Sequence, residues 1–211
     1  MEWPDVEPNR TQRAGKYNDW KQEIAKDCRN RCVYCAISDA LYGGLDNFHI
    51  EHFRPKSKFK KLTHIIENLF LACAICNRFK SDDWPNEPTD AGDICAYPDP
   101  SKIAYREIFN SNTVGILGGA NVSGRYVLAR LYLNRPQLVR LRRIFALISE
   151  LKNVRTKLEA NAKQLAKSSV DGELVARNLV LVIETQNRLA NLLERIQNES
   201  PYELAEVRRP K

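Results

Sequence analysis

The sequence has no apolar run long enough to cross a membrane. Its apolar runs, such as Leu179 to Ile183, are far shorter than the ~20 residues that a spanning helix needs. The first residues, Met1 to Asp5, have neither the basic region nor the apolar region of a secretory signal. We also find no internal repeat. These absences predict a cytoplasmic protein without a transmembrane helix, and they exclude repeat architectures.

Basic residues exceed acidic ones in two parts of the chain, which has a net charge of +7. Residues 28–80 carry nine Lys or Arg against four Asp or Glu, and residues 105–211 carry 18 against 10. Residues 81–104 carry one against six. Two basic parts joined by an acidic connector suit a protein that binds a polyanion, although solvated helices are often basic as well.

The composition along the chain predicts three parts. Residues 1–27 read as an N-terminal helical arm. Residues 28–104 hold the cysteines, two short strands and a helix, followed by an acidic, proline-rich connector. Residues 105–211 read as a helical domain in which two long helices form a hairpin, with a turn at Ser168–Gly172 and Asp171 as N-cap.

Six cysteines are present, and four of them form two C-x-x-C pairs. In a cytosolic protein this spacing favours a metal thiolate site over a disulfide framework. Four thiolates satisfy Zn²⁺ completely and leave no open position for water, so the predicted zinc is structural. The predicted ligands are Cys32, Cys35, Cys73 and Cys76. Cys28 and Cys95 are left over. Cys28 could replace one of the zinc ligands, but it lacks a partner at this spacing, so we interpret it as a partly buried free thiol.

The residues between and after the two pairs offer hydrolytic chemistry. His52 can act as a general base, because the unperturbed pKa of histidine lies near neutrality. Glu51 and Asn77 supply the hard oxygen ligands that Mg²⁺ prefers. Asn68 can orient the imidazole. For His49 the alternatives are an additional metal ligand, a residue that orients the base, and a hydrogen-bonded structural histidine, of which the last is the commonest.

These residues resemble the HNH nucleases, the His-Me finger or ββα-metal group. The resemblance rests on Glu51-His52-Phe53-Arg54-Pro55, then Asn68-Leu69, then Cys73-x-x-Cys76-Asn77-x-x-Lys80. Many relatives with two such cysteine pairs hold a structural zinc. The implied fold class is α+β, with a small zinc-stapled ββα-metal (HNH) core, flanking helices and a C-terminal α-helical hairpin.

The resemblance also implies residue roles. His52 would activate water, Asn68 would position His52, and Glu51 and Asn77 would hold catalytic Mg²⁺ or Mn²⁺. The implied substrate is nucleic acid, with DNA favoured over RNA. We expect Arg54, Lys56 and Lys80 to contact phosphates near the scissile bond. Two departures are present, because many relatives have Asp at the position of Glu51 and His at that of Asn77.

The segment from His49 to Lys56, followed by a helical tail, also resembles the HNH subunits of Septu-type anti-phage systems, which work beside an ATPase. This resemblance implies an ATPase partner, while the C-terminal helices also suit a homo-oligomer. The alternative to an endonuclease is a non-catalytic zinc module that docks nucleic acid or protein. The set of Glu51, His52, Asn68 and Asn77 favours the endonuclease, because a docking module does not need it.

Overall fold

A computed structural model describes residues 1–6, 10–112, 115–165 and 172–198. Within these ranges the chain forms five α-helices and four short strands. In chain order they are α1 (Lys21–Asp27), β1 (Phe48–His52), β2 (Leu69–Cys73), α2 (Ala74–Lys80), β3 (Phe109–Ser111), β4 (Leu117–Gly119), α3 (Val122–Arg130), α4 (Pro136–Leu165) and α5 (Gly172–Asn198). The mixed content confirms the predicted α+β class. The predicted interhelical turn and the N-cap at Asp171 lie outside the described residues.

The centre of the fold is a hairpin-like pair of strands followed directly by a helix. Strands β1 and β2 pair antiparallel, with His52 opposite Leu69 and Phe48 opposite Cys73. All of β2 is buried, since its Leu-Phe-Leu-Ala-Cys sequence is apolar on both faces. Helix α2 begins immediately after Cys73. The strand, strand, helix order predicted from the sequence is therefore confirmed.

One hydrophobic core connects these elements to the sequences on either side. The N-terminal arm contributes residues from the 3₁₀ turn Tyr17–Trp20 and from α1, and residues 105–138 contribute from the other side. Core members from the successive parts of the chain are Trp20, Ile24, Tyr34, Phe48, Phe70, Tyr97, Tyr105, Leu131 and Leu138. The boundaries expected after residues 27 and 104 both cross this core, and the division into three domains stays a prediction.

Residues 105–135 form a small unit with its own two-stranded sheet. Strands β3 and β4, which the glycine-rich sequence did not reveal, pair antiparallel and lead into α3. Asn121 caps α3 by accepting a hydrogen bond from the Gly124 N–H at 2.7 Å. Gly124 lies so close to the carbonyl oxygen of Ile108 that a Cβ would be 2.2 Å from it. The absence of a side chain at Gly124 thus lets α3 pack on the segment before β3.

The two long helices, α4 and α5, contact each other. Helix α3 ends at Arg130 and α4 begins at Pro136, where the fixed φ of proline suits the first position of a helix. An ion pair between Glu150 and Arg188 joins the two helices. None of the helices in the described ranges has the length and apolar character that crossing a bilayer requires.

Candidate nuclease site and zinc-type cluster

The four cysteines of the two C-x-x-C pairs meet in the core. All are buried, and their sulfur atoms lie within 4.8 Å of one another. The Sγ atoms of Cys35 and Cys73 are 3.8 Å apart. A tetrahedral Zn²⁺ with Zn–S bonds of about 2.3 Å requires sulfur separations of about 3.8 Å. The cluster therefore fits the zinc site that the spacing predicts.

The local folds explain how the sulfurs converge. Cys73 ends β2 and Cys76 lies in the first turn of α2, so the strand-to-helix junction presents both. The backbone carbonyl of Cys32 accepts a hydrogen bond from the Ala36 N–H at 2.9 Å, and the Cys32 N–H donates to the Ile37 carbonyl at 2.9 Å. Ala36 has a positive φ of 61°, which closes this knuckle.

A buried arginine lies against the cluster. The Nη2 atom of Arg135 is 3.5 Å from the Cys76 sulfur and 3.8 Å from the Cys73 sulfur. Burial disfavours the charge of this guanidinium, but the nearby sulfurs of Cys76, Cys35 and Cys73 outweigh burial and raise its pKa. A cation here compensates the negative charge that four thiolates bring to a metal. Residue spacing does not reveal this partner, because Arg135 lies 59 residues beyond Cys76.

The remaining two cysteines lie away from the cluster. Cys28 is buried, its sulfur accepts a hydrogen bond from the Leu71 N–H at 3.3 Å, and burial raises its pKa to about 12. Cys95 is exposed. Neither belongs to the group of four, and for Cys28 this agrees with its interpretation as a free thiol and not a zinc ligand.

His52 ends β1 with its imidazole in a defined tautomer. Its Nε2 lies 3.1 Å from the carbonyl oxygen of Thr63. A carbonyl only accepts, so the neutral ring carries its proton on Nε2 and has its lone pair on Nδ1. Burial lowers the pKa of His52, nearby Lys56 and Lys80 lower it further, and the Thr63 hydrogen bond only partly opposes this. The ring is therefore a neutral base near pH 7.

Glu51 and Lys80 form a buried ion pair beneath this histidine. Lys80 Nζ is 2.6 Å from Glu51 Oε1, and the two side chains are 0% and 3% exposed. Tyr34 donates to the same oxygen at 3.2 Å. Burial raises the pKa of the Glu51 carboxyl, while Lys80 and Tyr34 oppose that rise. Glu51 thus has one oxygen committed to interior partners.

The prediction that Lys80 contacts phosphate is wrong. Its side chain turns into the core, where Nζ also donates to the His52 carbonyl at 3.1 Å and lies 5.3 Å from the centre of the Tyr97 ring. Spacing from Asn77 placed Lys80 near the site but could not tell which face of α2 it occupies.

The side-chain amide of Asn68 hydrogen-bonds to backbone groups and not to the imidazole of His52, which it was predicted to orient. Its Oδ1 accepts from the Arg54 N–H at 2.8 Å, and its Nδ2 donates to the carbonyls of Arg54 at 3.0 Å and Leu62 at 3.3 Å. The amide thereby links Arg54, just after β1, to Leu62, further along the same connection. The direct orienting contact to His52 comes instead from the Thr63 carbonyl, which the residue types in the sequence cannot reveal.

Asn77 and His49 form a surface pair on α2 and β1. Asn77 Nδ2 and His49 Nδ1 are 3.0 Å apart, and His49 is exposed. His49 therefore makes the hydrogen bond expected of a structural histidine. Because Nδ2 faces His49, the amide oxygen of Asn77 is directed elsewhere.

An open cavity of about 400 Å³ lies beside His52. Its lining includes Glu51, Asn77, Lys56 and Arg78. Arg54, also predicted to contact phosphate, is not part of this lining and makes a bidentate contact with Glu87, with an Nη2–Oε2 distance of 2.9 Å. The structure thus brings His52, Glu51, Asn77 and Lys56 together.

These features define a small ββα unit that combines a zinc-type thiol cluster with a neutral imidazole at a basic, open cavity. Residues 32–83 match the family model described as HNH endonuclease. The matched segment is about a quarter of the chain, and it supports a nuclease-type function in broad terms. No curated protein and no solved structure matches the chain.

Proposed function

We propose that this protein is a metal-dependent HNH endonuclease that hydrolyses phosphodiester bonds of nucleic acid, with DNA as the favoured substrate. The observation that carries the proposal is the state of His52. Its Nε2 is committed to Thr63, and burial holds its pKa below the usual range, so Nδ1 is available as a base. This histidine lines an open cavity inside the segment that matches the HNH family.

In this mechanism His52 removes a proton from a water molecule that attacks the scissile phosphorus. A new P–O bond forms while the bond to the leaving 3′-oxygen breaks, and that oxygen takes a proton from solvent. The products carry a 5′-phosphate and a 3′-hydroxyl. Lys56 and Arg78 line the same cavity and neutralise phosphate oxygens.

We propose that Glu51 and Asn77 hold the catalytic cation, Mg²⁺ or Mn²⁺. Both line the cavity, and a carboxylate with an amide oxygen is a suitable pair for a cation that keeps several waters. Glu51 would bind through Oε2, because Lys80 and Tyr34 occupy Oε1. When bound, such a cation supplies positive charge that stabilises the phosphate oxygens.

We assign the thiol cluster a structural role with zinc. Four sulfur ligands leave no coordination site for water, so hydrolysis has to take place at the separate cavity. Reduced thiols of this kind suit the cytoplasm, the compartment that we expect for this protein.

We propose that the C-terminal helices bind a protein, either a second copy or an ATPase of an anti-phage system. Large apolar side chains on α5 support a contact role, since Leu179 is 57% exposed and Ile183 is 56% exposed. The effector role in defence rests on the resemblance of the sequence to Septu-type subunits alone.

The test is cleavage of supercoiled plasmid DNA and of a folded RNA with Mg²⁺ or Mn²⁺, with and without co-purifying proteins. We expect nicking by the wild type, loss of nicking with excess EDTA, and loss in His52→Ala. Cleavage of RNA alone would reassign the substrate. Binding of nucleic acid without any cleavage would instead support the docking module, in which His52 is idle.

A further inference from the structure

An aromatic residue outside the HNH-matched segment lies directly on the imidazole. Tyr17 belongs to the N-terminal arm and begins the 3₁₀ turn Tyr17–Trp20. Its ring meets the His52 ring edge to face, with centroids 4.7 Å apart and an interplanar angle of 80°. Tyr17 also lines the cavity. The arm thus contributes a wall of the proposed active site.

The arm is tied to the backbone segment that orients His52. Gln12 Nε2 donates to the His64 carbonyl at 2.8 Å, and Gln12 Oε1 accepts from the Ile66 N–H at 3.0 Å. The Tyr17 N–H donates to His64 Nδ1 at 3.3 Å. His64 follows Thr63, whose carbonyl holds His52. Tyr17 is therefore attached to the same loop whose Thr63 carbonyl contacts the imidazole of His52.

The two contacts restrict different motions of the imidazole. The hydrogen bond to Thr63 fixes Nε2, but a single hydrogen bond still allows the ring to rock about that point. The ring of Tyr17 occupies the space into which the imidazole would swing. Together they keep Nδ1 in one direction, which matters because a base displaced by about 1 Å loses much of its effect.

The hydroxyl of Tyr17 has a second contact at the cavity. Lys56 Nζ donates to it at 3.2 Å, and the ammonium lies 5.5 Å from the centre of the Tyr17 ring. Lys56 is otherwise an exposed side chain. The phenol therefore restrains a cation that the proposed mechanism uses for phosphate binding.

We propose that Tyr17 is a positioning residue of the nuclease site, holding His52 through its ring and Lys56 through its hydroxyl. This inference rests on the proposed function. It makes the N-terminal arm a component of the active site and not only a packing element. Tyr17 packs against the hydrophobic core, as a structural tyrosine would, but it is only half-buried and also contacts two polar groups at the cavity, His52 and Lys56.

The kinetic test compares Tyr17→Leu and Tyr17→Phe on plasmid DNA with saturating Mg²⁺. Loss of the ring in Tyr17→Leu should lower kcat by about tenfold or more, with a smaller change in KM. Tyr17→Phe should recover most of that kcat and raise KM, because Lys56 loses its restraint. The matched control is Tyr42→Leu, which removes a half-buried tyrosine packed edge to face on Phe48, away from the cavity. An unchanged kcat in Tyr17→Leu would overturn the proposal.

A second measurement does not depend on cleavage. Diethyl pyrocarbonate modifies accessible neutral imidazoles, and the chain has three histidines that mass spectrometry can separate. Tyr17→Leu should speed modification of His52 severalfold and leave exposed His49 unchanged, and Tyr42→Leu should change neither. Equal His52 rates in wild type and Tyr17→Leu would refute the contact. If the wild type cleaves nothing, the proposed function fails, while this measurement still decides whether Tyr17 restrains His52.

Discussion

At the scale of single residues, the proposed mechanism makes activity depend on the protonation of His52. Burial is the main cause of the lowered pKa of its imidazole, and Lys56 and Lys80 add to it. A base must be unprotonated to accept the proton of water. In the proposed mechanism the base is therefore a group that is already neutral at physiological pH.

The pH profile of kcat/KM follows from this state. We expect the rate to rise with pH as His52 loses its proton, with the midpoint of this rise below the ordinary histidine pKa of about 6.5. Replacing Lys56 with Met removes one charge that lowers this pKa, so the acidic limb should move to higher pH. Initial rates of cleavage at saturating Mg²⁺ provide the measurement. A limb centred well above pH 7 would contradict the role of His52 as a buried neutral base.

The buried Lys80–Glu51 pair makes a separate prediction about stability. Lys80→Met leaves the Glu51 carboxylate without its cation in the core, and breaking a buried pair in this way costs about 3–5 kcal/mol. The exposed Lys58→Met should change the free energy of unfolding by less than about 0.5 kcal/mol. Urea denaturation measures both. In the double variant Lys80→Met/Glu51→Gln, part of the loss should be recovered, and no recovery would argue against an ion pair.

At the scale of elements, the junction between β2 and α2 organises both sites. Because α2 begins directly after Cys73, the same turn presents a thiol to the four-cysteine cluster and places Asn77 at the cavity. Lys80, one turn further along, reaches beneath β1 to Glu51. A small change in this junction would therefore disturb the zinc-type cluster and the cavity together.

The contact between α3 and the segment before β3 is an independent test of the C-terminal part of the core. In Gly124→Ala the added Cβ would lie 2.2 Å from the Ile108 carbonyl oxygen, so the backbone must shift. We expect a loss of about 1–3 kcal/mol in the free energy of unfolding. Gly118→Ala is the control, because nothing lies within 4 Å of its Cβ. Equal midpoints of thermal unfolding for the two variants would show that α3 does not pack as described.

The sequence predicted those features that depend on local pattern. Cysteine spacing located the cluster, and the order of strands and helix followed from the apolar stretches around Phe48 and Leu69. Features that depend on side-chain direction or backbone carbonyls were missed. The inward turn of Lys80, the Thr63 carbonyl that holds His52 and the approach of Tyr17 all arise from tertiary packing, which has no signature in residue spacing.

At the scale of the whole molecule, the HNH-matched segment is completed by both of its neighbours. The N-terminal arm brings Tyr17 to the cavity, and the segment before α4 brings Arg135 to the thiols. Composition marked these neighbours as separate parts, because an acidic, proline-rich stretch looks the same whether it links two domains or covers one core. Residues 32–83 are thus supported by contacts from both sides.

The central claim is that sulfur-bound zinc is a scaffold and that His52 performs the chemistry at a separate cavity. The most direct measurement determines zinc per chain and plasmid cleavage in the same preparations of wild type, His52→Ala and Cys73→Ser. We predict one zinc per chain in His52→Ala with cleavage reduced by about 10²- to 10⁴-fold, and loss of zinc, fold and cleavage in Cys73→Ser. Full cleavage by zinc-loaded His52→Ala, or wild-type cleavage by zinc-free Cys73→Ser, would contradict the account.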